Sequence, residues 1–360
     1  RFMAAALRLS RRHSGRTSTN PSVGTIIVRD DGAGPMIVGS GVTAIGGRPH
    51  AETEALAEAG ELARGATAYV TLEPCAHHGR TPPCAEALVT AGIARVVGAA
   101  SDPDPRVSGK GYAILREAGV EVTERVLAPE ASNQLAGYLM RSLKKRPEVI
   151  LKMALSSDGK IGVRGEGQVP ITGEVARREV HLMRTEADAI LIGIGTALED
   201  DPELTVRLPG LENRSPARIV LDSDMRLPST SRLVSGVDRV PLYIASNPLV
   251  DGQRRAVMER HGVRFIGTEV HEGKIALPEL LEDLAALGMS SIIVEGGASV
   301  AQSFLDEGLV DRIVLFRGPT EVGGQGIAGP IGPDTIPAGF RKLREMQFDQ
   351  DGFAEWVRTV

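Results

Sequence analysis

The chain has 360 residues, of which 42% are apolar and 24% charged, with a net charge of −5 and a pI near 5.9. That length favours two domains over one core. The acidic balance and an aromatic content of only 3% argue against a nucleic-acid surface or a base-stacking platform. No apolar run is long enough to span a bilayer.

The opening residues, Arg1 to Leu9, superficially resemble a signal peptide. The apolar stretch is short, Arg8 interrupts it and no small-residue cleavage site follows, so an amphipathic first helix is expected. The sequence does not begin with Met, and the expectation is that it starts inside a longer chain. Asn20-Pro21-Ser22 reads as a turn, Thr25–Val28 and Met36–Val42 as strands about a turn at Asp30-Asp31-Gly32. An alanine- and glutamate-rich helix follows over Ala51–Ala59. Ala68–Leu72 is a strand that runs into Glu73-Pro74-Cys75. Cys84 opens another helix, ended by Gly92. Arg95–Gly98 is a strand followed by Asp102-Pro103-Asp104-Pro105, and a helix (Gly111–Ala118) and strand (Val120–Val126) complete the unit. Alternating strands and helices imply an α/β sheet covered on both faces, with ligands gathering at the strand ends, where Asn20, Cys75 and Asp102 fall.

Three of these residues are suited to one chemistry. His50, Cys75 and Cys84 offer an imidazole nitrogen and two thiolates to a zinc ion, leaving a fourth tetrahedral position for water. Glu52 is two residues beyond the histidine and has no metal duty. The pattern is the zinc deaminase signature H-x-E followed by P-C-x-x-C, except that eight residues separate the cysteines here. Zinc lowers the pKa of water from about 15.7 to about 7, and a carboxylate placed like Glu52 can shuttle the proton to a leaving amine. Two of the ligands lie near helix N-termini, where partial positive charge favours thiolate. A disulfide, a structural zinc site or two buried small hydrophobes are the competing readings. Both cysteines of the chain fall in this motif, and as thiolates they fit a reducing, cytoplasmic compartment.

Arg141 to Pro147 is basic and ends in proline. It is read as a solvated linker between domains spanning 1–144 and 148–360. The second domain opens with the buried strand Val149–Leu155, in which Lys152 is the one charge and needs a partner or a task. A turn at Ser156–Lys160, a helix (Glu174–Arg184) and strands at Ala189–Ile194, Ala217–Ser223 and Val240–Ala245 follow. A helix (Pro278–Leu287), strands at Ser291–Val294 and Asp311–Phe316, and a helix from Val300 to Asp306 complete the predicted elements. Glu295-Gly296-Gly297-Ala298-Ser299 is a strand–glycine–helix junction that suits a phosphate. It is not G-x-G-x-x-G, so a Rossmann cofactor domain is not indicated.

The longer string from Thr71 to Cys84, with its eight-residue cysteine spacing, resembles the deaminase half of the bifunctional deaminase–reductase family of bacterial riboflavin biosynthesis. Lys152-Met-Ala154-x-Ser-x-Asp-Gly, Gly195-Thr-Ala-Leu-x-Asp-Asp-Pro-x-Leu-Thr-Val-Arg207 and Val294-Glu-Gly-Gly resemble the reductase half. The two halves match in order over nearly the whole chain, with 224–290 poorly marked. The resemblance implies a cytidine-deaminase-like three-layer N-terminal domain and a dihydrofolate-reductase-like C-terminal domain. It also implies zinc and NADPH as cofactors and a small phosphorylated pyrimidine as substrate.

By the same resemblance, Asn20 and Asp102 line the pyrimidine pocket. The reading from the residues alone, that both merely make turns, stands beside it. His77 and Arg80 meet a sugar or phosphate, or else belong to an exposed loop. Ala154, Pro170, Thr196, Asp200, Ser223, Gly297, Ala298 and Ser299 contact NADPH. Arg184, Leu204, Arg207 and Glu295 contact the substrate, the arginines at its phosphate, and Lys152 and Glu295 assist catalysis at the sugar. Asp104 stands where the family more often has asparagine, and Pro170 where it often has an aromatic. A homo-oligomer, a dimer first, is expected, with no nucleic-acid or membrane partner. Two other readings stand: a single-function deaminase with a nucleotide-binding second domain, and a zinc-stabilised nucleotide-binding protein without activity.

Overall fold

The computed structural model describes residues 1–78 and 82–359. The chain divides into two compact units, Arg1–Lys145 and Arg146–Val360. Among the described residues no helix is long and apolar enough to cross a membrane.

Unit 1 runs α1 (Phe2–Ser10), β1 (Gly24–Arg29), β2 (Met36–Val42), α2 (Ala51–Ala59), β3 (Thr67–Leu72), α3 (Cys84–Thr90), β4 (Arg95–Ala100), α4 (Lys110–Glu117), β5 (Glu121–Thr123), α5 (Ala128–Gln134) and α6 (Ala136–Lys144). The sheet order is β2-β1-β3-β4-β5. β1 is antiparallel to β2 and β3, and β3, β4 and β5 are parallel. Successive strand residues point to opposite faces, and two glycines show what lies on each. A Cβ on Gly24 would come within 2.2 Å of the Ala6 carbonyl oxygen of α1. A Cβ on Gly41, which pairs with Thr25, would come within 2.1 Å of the Ala51 carbonyl oxygen of α2. Helices therefore cover both faces in three layers, and Gly41 lets the N-terminus of α2 settle against β2.

Two details differ from the sequence reading. The segment Arg141–Pro147 is not an extended linker: Arg141 to Lys144 form the last turn of α6, where basic side chains favour the negative helix terminus. Arg146 is anchored by a bidentate pair to Asp311, at 2.5 and 2.8 Å. The last strand is only Glu121–Thr123, because it is the sheet edge and pairs on one side alone.

Unit 2 opens with β6 (Glu148–Leu155), β7 (Lys160–Val163), α7 (Glu174–Glu186), β8 (Ala189–Gly193), α8 (Ile194–Asp200), β9 (Ala217–Leu221), α9 (Arg232–Ser235), β10 (Leu242–Ser246), α10 (Gly252–Arg260) and β11 (Arg264–Gly267). A hairpin of β12 (Val270–His271) and β13 (Lys274–Ile275) precedes α11 (Leu277–Ala286), β14 (Ser291–Glu295), α12 (Ala298–Asp306), β15 (Arg312–Arg317), β16 (Gly326–Ala328), β17 (Phe340–Phe348) and β18 (Asp351–Arg358). The nine-stranded sheet has the order β11-β10-β9-β8-β14-β6-β15-β18-β17. Pairing is parallel from β11 to β15 and antiparallel beyond. Its central strands read as near-continuous apolar runs because both faces are buried. Val149, Leu151, Ile292 and Val294 pack with Leu280, Leu284 and Phe304 on one side, and Ile190, Ile192, Val220 and Ile244 form a second cluster. The Gly195 segment, given no element from sequence, is helical as α8.

Beyond β8 the chain moves outward to β9, β10 and β11, while β6 and β15 lie on the other side of β14. The strand order thus reverses between β8 and β14, and a crevice forms outside the carboxyl ends of the strands at such a point.

Candidate active sites

In unit 1, β3 delivers Cys75, His50 is the N-cap of α2 and Cys84 is the first residue of α3. Their ligand atoms all lie within 4.8 Å of one another. His50 Nδ1 is 3.3 Å from Cys84 Sγ and 3.6 Å from Cys75 Sγ, and the Cys84 backbone N–H donates to Cys75 Sγ at 3.2 Å. Both cysteines are free, so the disulfide alternative fails. Hydrogen bonding from Cys84, then from His50, pulls Cys75 down to about 4, while the same bond and burial push Cys84 up. One imidazole and two sulfurs, with Cys75 drawn toward thiolate, form a donor set that fits zinc. Glu52, 4% exposed, is raised to about 7, first by burial and then by the charge of Cys75.

The surrounding turns are fastened by backbone contacts. Glu73, buried just ahead of Cys75, accepts from the N–H groups of Gly109 and Gly111, both at 3.1 Å, at the start of α4. Asp102 is buried, and burial raises its pKa. Asp104 accepts from the Arg106 side chain at 2.5 to 3.0 Å, which lowers it to about 2. Asp104 is thus committed to a neighbour. Asn20 packs on Gly47, where a Cβ would sit 2.3 Å from Asn20 Nδ2. His77 Nδ1 is buried without a hydrogen-bond partner among the described residues. Arg80 lies outside the described residues.

In unit 2, Lys152 of β6 and Glu295 at the end of β14 are register partners. Arg184 of α7 donates to both Glu295 oxygens, Nε to Oε1 and Nη2 to Oε2, each at 2.9 Å, and to the Thr205 carbonyl oxygen at 3.1 Å. Lys152 Nζ is 3.8 Å from Glu295 Oε2. Burial alone would raise Glu295, but Arg184 and Lys152 outweigh it and hold it at about 2. Burial lowers Lys152.

The loop after α8 brings Leu204 and Arg207 to this cluster. Asp201 and Leu204 adopt φ of 38° and 54°, a left-handed conformation that costs a non-glycine residue energy. The loop is held from several sides: Arg184 takes Thr205, Ser215 Oγ accepts from the Val206 N–H at 2.9 Å, and Arg232 pairs with Glu203 at 2.7 Å. His181, one turn ahead of Arg184 on α7, accepts from the Arg207 N–H at 3.4 Å. Burial, then Arg184 and Arg207, lower it to about 4. His181 was not singled out from sequence, although its three-residue offset from Arg184 places it on the same helix face.

The glycines at the switch point form a cradle. Gly296 and Gly297 have φ of 77° and 69°, and a Cβ on either would come within 3.0 Å of Thr196. They lead into α12, whose first residues are Ala298 and Ser299. A backbone bare of side chains at a helix N-terminus fits a phosphate of a dinucleotide such as NADPH. Ala154 lies near the end of β6 and pairs with Phe316. Asp200 ends α8, and Ser223 Oγ donates to the Gly273 carbonyl at 3.3 Å. Pro170 is exposed, on the loop whose Gly165 and Gly167 N–H groups are held by Glu199.

Comparison with known proteins adds to this geometry. The family described as "RibD C-terminal domain" matches residues 147–353, and that described as "Cytidine and deoxycytidylate deaminase zinc-binding region" matches residues 1–100. The chain is 37% identical to the riboflavin biosynthesis protein RibD of Aquifex aeolicus, covering 98% of this chain and 95% of that protein. It is 39% identical to RibD of Escherichia coli, with 89% and 88% covered. An Acinetobacter baumannii RibD structure superposes with a TM-score of 0.85 at 36% identity, covering 99% of this chain and 98% of the other. A Thermotoga maritima diaminohydroxyphosphoribosylaminopyrimidine deaminase/5-amino-6-(5-phosphoribosylamino)uracil reductase gives 0.85 at 31% identity, with 99% and 97% covered. The N-terminal part is thus cytidine-deaminase-like and the C-terminal part has the dihydrofolate-reductase-like fold of the reductase domain. With a thiolate–imidazole cluster in one unit, a buried Lys–Glu–Arg cluster beside a glycine cradle in the other, and relatives matched over nearly their full length, the chain belongs to the RibD family.

Proposed function

We propose that this chain catalyses two consecutive steps of riboflavin biosynthesis, one in each unit, with residues 1–144 as the deaminase domain and 148–360 as the reductase domain. The first step hydrolyses the 2-amino group of a 2,5-diamino-6-(5-phosphoribosylamino)pyrimidin-4-one and releases ammonia. The second reduces the ribosyl group of the resulting 5-amino-6-(5-phosphoribosylamino)uracil to ribityl. The observation that carries this reading is the pairing of the His50–Cys75–Cys84 cluster with buried Glu52.

Zinc held by His50, Cys75 and Cys84 would supply the Lewis acidity that makes water nucleophilic at neutral pH. Glu52 takes the proton from that water and gives it to the departing nitrogen. A carboxyl near 7 is poised to do both. Asn20 and Asp102 orient the ring by hydrogen bonds, and His77 meets its sugar or phosphate; Arg80, assigned to the same group from sequence, lies outside the described residues.

NADPH supplies the hydride for the second step. Thr196, Gly297, Ala298 and Ser299 would hold its phosphates, with Ala154, Pro170, Asp200 and Ser223 along the rest. A hydride taken up at the ribose C1′ would leave the ring oxygen to depart as a hydroxyl, and that oxygen would need a proton. Lys152, lowered by burial, is the group that delivers it, and Glu295 keeps the lysine in place. Leu204 packs against the substrate and Arg207 takes its phosphate, joined by the N–H groups of Arg184 that Glu295 and Thr205 leave free. The chain works as a homo-oligomer in the cytoplasm, where the two thiols stay reduced.

The test is incubation with the diaminopyrimidine phosphate, with and without NADPH, and identification of products by mass. Deaminated product without NADPH and ribityl product with it are expected. Deamination without any NADPH oxidation would leave only a single-function deaminase.

A further inference from the structure

Two turns line the proposed pyrimidine pocket, and one helix holds both. Tyr138 of α6 donates its hydroxyl to Asp102, at 3.0 Å from Oδ1 and 3.2 Å from Oδ2. One turn further along the same helix, Arg141 donates to the carbonyl oxygen of Thr19, the residue before Asn20. Arg141 opens the stretch read as a linker in the sequence, and neither residue belongs to the metal cluster.

The contacts on Asp102 are unequal. Oδ1 accepts from the Asp104 N–H at 2.9 Å and from Tyr138. Oδ2 takes only the longer, shared contact from Tyr138 among the described residues. A buried carboxylate oxygen with spare acceptor capacity is costly unless a ligand completes it. Tyr138 straddles both oxygens and so fixes the plane of the carboxylate, leaving Oδ2 with spare acceptor capacity. The phenol remains a donor, because burial and the neighbouring charge of Asp102 oppose its ionisation. Its ring is partly buried against the core of unit 1, which anchors the contact.

We propose that α6 is the positioning helix of the deaminase pocket, with Tyr138 setting the Asp102 carboxylate and Arg141 setting the Asn20 turn against the pyrimidine. This rests on the reading that Asp102 and Asn20 face the substrate. Neither residue touches the reacting atoms, so the effect falls on substrate binding and spares the bond-breaking step.

Tyr138→Phe keeps the ring and removes only the hydroxyl, and Arg141→Met keeps the stem. Each should raise the deaminase KM about tenfold, the scale of one hydrogen bond to a charged group, with kcat within about twofold. Zinc content and reductase turnover on the deaminated intermediate should match wild type, while the thermal unfolding temperature should fall only modestly, by the lost internal hydrogen bond. Asp102→Asn should raise KM as well. Tyr138→Phe added to Asp102→Asn should then add nothing, whereas Tyr138→Phe and Arg141→Met should add, since they act on separate turns. A raised KM in Asp102→Asn with wild-type KM in Tyr138→Phe would overturn the positioning role and leave Asp102 in the pocket. Wild-type kinetics in Asp102→Asn would overturn the placement of Asp102 itself. Loss of zinc, or equal losses in kcat and in both activities, would make α6 a purely structural brace and overturn the proposal.

Discussion

Arg184 and Glu295 meet through two hydrogen bonds of 2.9 Å, although 111 residues separate them in sequence. Both side chains are about nine-tenths buried. Such a pair is costly to break, because one partner removed leaves a charge in the interior. Glu295→Gln is therefore expected to destabilise unit 2 by about 3–5 kcal/mol. Urea denaturation followed by fluorescence of the single tryptophan, Trp356, checks this, and a midpoint like wild type would contradict it.

The same cluster sets an acid limit. Glu295 titrates at 4.5 ordinarily and at about 2 here, so its contribution is whole above pH 4.5 and lost as pH falls through 2. The span corresponds to roughly 3 kcal/mol. His181 acts in the same direction at higher pH. Its value falls from 6.5 to about 4, so the unfolded chain binds the proton more readily and stability drops as pH goes from 6.5 to 4. Unfolding free energy measured from pH 7 to pH 3 should decline over both windows. His181→Asn should flatten the upper one and leave the lower.

Arg207 differs from Arg184 in being half exposed, with Glu203 a distant 3.9 Å away. It is free to turn to a ligand. Arg207→Ala is expected to raise the reductase KM for the phosphorylated intermediate about tenfold or more, with stability and deaminase rate near wild type. If the mutant discriminates against the dephosphorylated substrate as strongly as wild type does, the phosphate is held elsewhere.

Glu52→Gln should retain zinc and lose deamination by about 10²–10⁴-fold, since the amide cannot carry a proton. Cys84→Ser should lose the metal and the deaminase activity together. Elemental analysis of both proteins beside reductase assays separates the cases; reductase loss in Glu52→Gln would speak against two independent sites.

Gly41→Ala tests the packing that brings His50 to the cluster. The added Cβ would lie 2.1 Å from the Ala51 carbonyl oxygen, in the first turn of α2. Backbone has to shift, at a cost of about 1–3 kcal/mol, and α2 carries both His50 and Glu52. Weaker zinc retention under a chelator and a lower Tm are expected. A variant that matches wild type in both would show that α2 has room to move.

The spacing of His50, Glu52, Cys75 and Cys84 made one site legible from sequence, because each residue sits at the edge of an element whose pattern is local and whose chemistry is specific. The strands of unit 2 were legible as apolar runs for a related reason: a sheet buried on both faces needs no alternation. What the sequence left open were contacts between elements far apart in the chain. Arg184 and Glu295 could each be assigned to the substrate, but only folding brings α7 across the end of β14 and commits part of the guanidinium to the carboxylate. Only the end of α6, from Arg141, was read as part of a linker, because basic residues dominate Arg141–Pro147. Its role in holding Asp102 and the Asn20 turn depends on where its first turns pack, 36 residues from Asp102 and 122 from Thr19. Local pattern determined which chemistry the chain carries. Tertiary packing decided which donors remain free to perform it, since a hydrogen bond already made inside the protein is not available to a substrate.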